Sequence, residues 1–440
     1  MNPLILFIPL ITLIFLGIPL GFVLGAIGLT AGFVEYGSKF FSILPSRMFD
    51  MQTNYILVAL PMFVWMGNML ERSGATEKLY GALHLAMGGL KGGLAYATII
   101  ICVLFAAATG VVGASVTAMG LVALPEMVKR GYDKKFASGV VMAAGCLGIL
   151  IPPSIMLVIY GSWAELSVGR LYMAALLPGV MLGGLYALYT FIVSRVRPKW
   201  VPAATIEERG QQSSARIWGN VAKYAVPPIF LILLVLGGIF MGWFTPTEAS
   251  GIGAIGAAII AAFNKNFNMA NVKEATYRTA RISGMIGLLS SCALTFTSAF
   301  LALGGGRAVN DVLLGTGFGK WGIFAIIMVL LLILGAFLDW FGMLVICIPI
   351  FNPLVLSLGF DPMWFAALVC INLQMSFLTP PYGFALFYLR GICPMVCPEV
   401  KMSHIIGGIY PWLGLVCVAI GLLIAFPQIA LWLPAAIYNK

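Results

Sequence analysis

Two stretches, ILIPPSIML at residues 149–157 and FLTPPYGFA at residues 377–385, each place an adjacent proline pair inside an uncharged apolar run. Proline has no backbone N–H to donate and its ring clashes with the preceding turn, so each pair breaks a helix and leaves carbonyls unpaired. Sliding the chain along itself sets residues 124–160 on residues 352–388 without a gap, an offset of 352 − 124 = 228. Pro125 then falls on Pro353, Gly131 on Gly359, Asp133 on Asp361, Pro152 and Pro153 on Pro380 and Pro381, and Tyr160 on Tyr388. The pairs Tyr132/Phe360 and Phe136/Trp364 are aromatic in both copies. Turn residues and helix breakers that hold one register over such a length mark an internal repeat. A shorter echo sets GIPLGFVLGAIG, around Pro19, against TPTEASGIGAIG, around Pro246.

Composition says where these broken helices sit. Hydrophobic residues make up 61% of the 440 and charged residues 9%, against about 25% charged in an ordinary soluble domain. Uncharged runs of about 20 residues recur along the chain, the signature of a polytopic helical membrane protein. The net charge of +10 comes from Lys and Arg in short loops. That is a positive-inside pattern facing membrane lipid, not a nucleic-acid surface. The opening 29 residues have no basic leader and are expected as a retained first membrane segment.

Loop charge orients the copies. The first carries Lys129, Arg130, Lys134 and Lys135, where the second has Ser357, Leu358, Pro362 and Met363. A loop that keeps its turn residues and loses its positive charge predicts opposite sidedness, hence inverted-topology repeats with broken helices, the architecture of secondary transporters. Between Lys91 and Glu126 lie 34 residues without a charge. One helix of that length would measure roughly 50 Å, well beyond a hydrocarbon core of ~30 Å. The run must turn, and Gly110 and Gly113 supply the place, which predicts a re-entrant hairpin with arms of about 16 residues and its tip near the midplane. The matching stretch, residues 321–360, has one charge, Asp339, beside Gly342.

The expected organisation is an all-α polytopic membrane protein. A first repeat over 1–197 holds scaffold and arm helices at 1–91, a re-entrant hairpin at 92–130, a broken helix at 134–163 and a scaffold helix at 170–195. A polar cytoplasmic linker follows at 198–223. A second, inverted repeat over 224–440 holds scaffold and arm helices at 224–319, a hairpin at 320–359, a broken helix at 362–389 and a scaffold helix at 404–426.

Where hairpin tips meet broken helices, helix N-termini offer unpaired N–H groups to carboxylates, while unwound carbonyls and hydroxyls are hard ligands for Na⁺. The first tip offers Gly113, Ala114, Ser115 and Thr117, and the first break Ile151, Pro152 and Ser154. In the second half Asn372, Ser376 and Thr379 share one helix face at i, i+4 and i+7, whereas Gly145, Gly148 and Pro152 make a small face in the first. Substrate contact is expected on the polar face and hairpin packing on the small one. Small residues at this spacing also serve simply as close-packed helix interfaces. Asp339 is a surface residue if the hairpin boundary lies elsewhere; at the midplane an aspartate costs on the order of 3 kcal/mol, so there it should face a polar cavity or an ion. Thr245, Pro246 and Glu248 read instead as a local capping box.

The stretches TGVVGASVTAMGLVALPEMVKRGYDKKFASGVV, LGILIPPSIMLVIYG and VCINLQMSFLTPPYGFALFY resemble the large membrane subunit of the tripartite ATP-independent periplasmic (TRAP) transporters over the whole chain. The resemblance implies a sodium-driven importer of elevator type in a prokaryotic inner membrane. It implies two partners, a periplasmic binding protein that delivers a carboxylate and a small four-helix membrane subunit, with Na⁺ as coupling ion and no other cofactor. It maps one sodium site onto Gly113, Ala114, Ser115 and Thr117 with Gly145, Gly148, Ile151 and Pro152. A second maps onto Asp339 and Gly342 with Ser376, Thr379, Pro380 and Gly383. Substrate is then expected at Ser115, Thr117, Ser154, Asn372, Ser376, Thr379 and Tyr382. Many members have a serine-rich first tip, from which Gly113-Ala114-Ser115 departs.

Other classes fit less well. An intramembrane enzyme needs a nucleophile with a base or paired carboxylates, and neither His84 nor His404 lies within an apolar run's centre. Cys393 and Cys397 lack the second pair a zinc site needs. A respiratory antiporter-like subunit needs lysine and glutamate relays. A stand-alone sodium/carboxylate symporter of related fold is the remaining alternative, separated by its independence of partners.

Overall fold

The computed structural model describes residues 2–109, 112–203, 214–380 and 383–438. In hydrocarbon every backbone N–H and C=O must be paired inside its own segment. The apolar runs accordingly fold as helices, and no strand occurs among the described residues. The first half holds α1 (Phe7–Phe15), α2 (Leu20–Tyr36), α3 (Ser38–Gln52), α4 (Ala59–Arg72), α5 (Ala75–Met87), α6 (Gly93–Thr109), α7 (Val112–Lys129), α8 (Lys134–Cys146), α9 (Ile155–Trp163) and α10 (Val168–Val196). The second holds α11 (Ser214–Phe240), α12 (Pro246–Phe263), α13 (Met269–Ala302), α14 (Gly305–Gly315), α15 (Lys320–Phe337), α16 (Trp340–Ser357), α17 (Pro362–Leu378), α18 (Phe384–Val396), α19 (Met402–Ala425) and α20 (Gln428–Tyr438). Eight of the described helices are long and apolar enough to cross a membrane.

Aligned positions of the two copies do the same local work. Gly131 and Gly359 both take φ +77°, a left-handed conformation that favours glycine, after α7 and α16. Asp133 then caps α8 through the Phe136 N–H at 2.9 Å, and Asp361 caps α17 through the Met363 and Trp364 N–H groups at 2.8 and 3.1 Å. Thr245 and Glu248 form the capping box of α12, each side chain accepting from the other's N–H. The hairpin arms are slightly longer than expected: α6 has 17 residues and α7, α15 and α16 have 18 each, or about 26–27 Å.

The opening stretch departs from expectation. It is not one membrane segment but two helices folded against each other, with Leu6, Pro9 and Leu13 facing Val34, Thr30 and Ala26 across one groove. Gly17 at φ +81° and Pro19 at the N-cap of α2 make the reversal. The second broken helix also runs on to Val396, beyond residue 389, and α20 follows the helix expected to end at 426.

Packing braids the halves. Helix α2 lies along α13, and α4 along α12. A Cβ on Gly28 would stand 2.7 Å from Phe296 Cα, so glycine there sets the closeness of α2 and α13. The hairpins interlock crosswise with the breaks: α7 packs on α18, and α16 on α9.

Candidate functional site

Each break is held by named bonds. After α8 a 3₁₀ turn at Leu147–Ile149 ends the helix, and α9 restarts at Ile155. The Ser154 hydroxyl donates to the Ile149 carbonyl at 2.6 Å, and Tyr172 donates to the Ser154 carbonyl at 3.4 Å. Ser154, expected at the substrate, is fully buried and spans the break as a brace. Ile151 packs on α10, where a Cβ on Gly179 would meet its side chain at 2.6 Å. In the second break Thr379 donates to the Met375 carbonyl at 2.7 Å. Gly383 caps α18, and a Cβ there would lie 2.6 Å from the Phe377 carbonyl oxygen, an approach only glycine allows. Pro381 and Tyr382 lie outside the described residues.

The faces of the broken helices do not divide as expected. Hairpin packing falls on the small face in the first half and on the polar face in the second. A Cβ on Gly145 would stand 2.6 Å from Val116 Cγ2 of α7. On α17, Asn372 Nδ2 donates to the Met328 carbonyl at 2.9 Å, and Ser376 Oγ to the Leu332 carbonyl at 3.2 Å. Both residues are buried, and Gly335 of α15 gives Ser376 room, since a Cβ there would meet Ser376 Oγ at 2.7 Å. Asn372 and Ser376 therefore hold α15 against α17 in this arrangement. Gly148 and Pro152 are buried in the first break, whereas Ala114 and Thr117 on α7 and Pro380 after α17 are half-buried. Ser115 is buried near the first tip.

The two tips meet. A cavity of about 440 Å³ is lined by Val112 and Gly113 of the first tip and by Asp339 and Trp340 of the second. Phe377, Phe384 and Tyr388 from the second broken helix close one side. The opposite wall is Pro19 to Phe22 of α2 and an apolar face of α13 that includes Ile282, Met285 and Leu289. Tyr388 packs its ring on Gly113, where a Cβ would stand 2.7 Å from Cζ. Gly342 is pressed against Leu20 of the wall.

Four helices begin on this cavity: α2 at Leu20, α7 at Val112, α16 at Trp340 and α18 at Phe384. Their first N–H groups have no intrahelical partner and their dipoles present a positive end, a setting that favours an anion. Asp339 is the only charged lining residue among those described; its Oδ1 accepts from the Gly342 N–H at 3.2 Å as the N-cap of α16. Among the described residues no group of three or more His, Cys, Asp and Glu could hold a metal. A hard cation here would depend on Asp339 with carbonyl and hydroxyl oxygens.

The sequence places Gly113 and Asp339 in separate sodium sites, each with the break of its own half; both line this one cavity, beside residues that had no assigned role in sequence: Trp340, Phe377, Phe384, Tyr388 and the walls from α2 and α13. Phe377 and Phe384 lie within the stretch 377–385, and Tyr388 pairs with Tyr160 in the repeat register, but none of them carried a role in the sequence reading.

The sequence model of the family described as "Tripartite ATP-independent periplasmic transporter, DctM component" matches residues 7–429. The C4-dicarboxylate TRAP transporter large permease protein DctM of Pseudomonas aeruginosa is 31% identical over 392 residues, 89% of each chain. Its namesake from Rhodobacter capsulatus is 31% identical over 452 residues, 99% of each. The isethionate TRAP transporter permease protein DctMQ of Oleidesulfovibrio alaskensis is 33% identical over 86% of this chain and 58% of its own. Among solved structures the Alcanivorax borkumensis YdaH transporter, whose crystal structure is described as having an unusual topology, superposes with a TM-score of 0.61 at 16% identity, covering 98% of this chain and all of that one. At that identity the likeness concerns the fold alone. With its family match over nearly the full length and its all-helical, multi-span architecture, the chain belongs to the tripartite ATP-independent periplasmic transporters as their large permease, a multi-pass inner-membrane protein.

Proposed function

We propose that this permease imports a small organic acid, coupled to Na⁺, by an elevator movement in which hairpins and broken helices travel together past a scaffold. The observation that carries the reading is the cavity where both tips and four helix N-termini converge on a wall from α2 and α13. Tips entering from opposite faces can share one cavity only if each stops inside the membrane, which favours re-entrant hairpins over full crossings. The aliphatic α13 wall offers little that would fix the tips at one height, as a sliding surface requires.

Asp339 beside the helix ends gives a place for Na⁺, whose charge would offset the carboxylate's approach to it. Relatives named for C4-dicarboxylate, isethionate, ectoine and sialic acid transport support an organic-acid class. The family's name implies a periplasmic binding protein, and the permease DctMQ, of which this chain covers 58%, leaves room for a small membrane subunit as second partner. Proteoliposomes test this. Uptake is expected only with the small subunit, a cognate binding protein and an inward Na⁺ gradient. Robust uptake by this chain alone would favour the stand-alone symporter.

A further inference from the structure

Building on the carboxylate-carrier reading above, we propose that the substrate carries one carboxylate on a compact apolar, ring-sized body, and that dicarboxylates are poor ligands of this permease. Among the described residues no Lys, Arg or His lines the cavity, and the one charged lining residue is an aspartate. Helix N-termini with about half a positive charge each suffice for one carboxylate beside a sodium ion. A second carboxylate would meet either Asp339 or apolar walls, and a charge desolvated without a partner is strongly disfavoured.

The rest of the lining is suited to a body without charge. Phe22, Trp340, Phe377, Phe384 and Tyr388 contribute five aromatic rings, and Phe377 and Phe384 stand edge to face with centroids 5.9 Å apart. Rings so placed offer edges and faces to another ring. The α13 side adds Ile282, Met285, Ile286, Leu288 and Leu289. Aromatic walls beside an aspartate would also attract an organic cation, but on the reading above Asp339 is taken by Na⁺.

The test is binding by the purified permease with its membrane subunit in saturating NaCl, read by tryptophan fluorescence, since Trp340 lines the cavity, and by thermal shift. Benzoate is expected to bind at least about tenfold tighter than succinate, a difference of about 1.4 kcal/mol. Phe384→Ala should weaken benzoate by about tenfold and leave succinate unchanged. Succinate binding as tightly as benzoate overturns the inference and leaves carboxylate carriage standing. Binding of neither in Na⁺ overturns both. The wild-type comparison does not depend on whether the variant folds.

Discussion

At the scale of single residues, Asp339 does two jobs that one substitution separates. Its carboxylate caps α16, a role asparagine fills equally well. Its charge is the only one among the cavity's described lining residues. Asp339→Asn should therefore keep the thermal midpoint within a few degrees while raising the Na⁺ concentration for half-maximal uptake by about tenfold or more. An unchanged Na⁺ dependence, measured as uptake against external NaCl, would remove Asp339 from the ion site. Asp339 was legible in the sequence because a lone charge in an apolar run must be accounted for. The work of Asn372, Ser376 and Ser154 was not, because their partners are backbone carbonyls of Met328, Leu332 and Ile149, which every sequence possesses. Polarity on a helix face announces a bond without saying whether its partner is substrate or neighbouring helix.

At the scale of elements, the punctuation of the chain carried most of the information. Pro152–Pro153 and Gly383 interrupt helices for reasons of covalent geometry, and the aligned Gly131 and Gly359 share φ +77°. What stayed hidden was the reversal between α1 and α2. Helices as short as nine residues and a single longer span have the same apolar composition, and Gly17 is one of 51 glycines. The inverted relation of the repeats rests on loop charge and has its own measurement. Single cysteines introduced at Lys129 and Ser357 should react with a membrane-impermeant maleimide from opposite faces, Lys129→Cys only after the cytoplasmic side is opened. Labelling of both from one side would overturn the inverted topology.

At the scale of the whole molecule, the braid of α2 with α13 and of α4 with α12 makes a frame from both halves. The crosswise contacts of α7 with α18 and α16 with α9 tie the hairpins and breaks into a second unit. Neither grouping follows chain order, and the aliphatic α13 wall gives no signal in sequence to distinguish it from any lipid-facing helix. The central claim is that the second unit moves past the first at the cavity. Leu20 of the frame touches Gly342 beside the second tip, so a Leu20→Cys/Gly342→Cys pair places two thiols across the boundary at which movement is proposed, with leucine's bulk removed to admit the new side chain. Uptake by this variant, assayed under an inward Na⁺ gradient, should proceed when reduced, stop when the disulfide is formed, and return with reductant. Uptake that continues at full rate with the cross-link complete would contradict movement at this boundary.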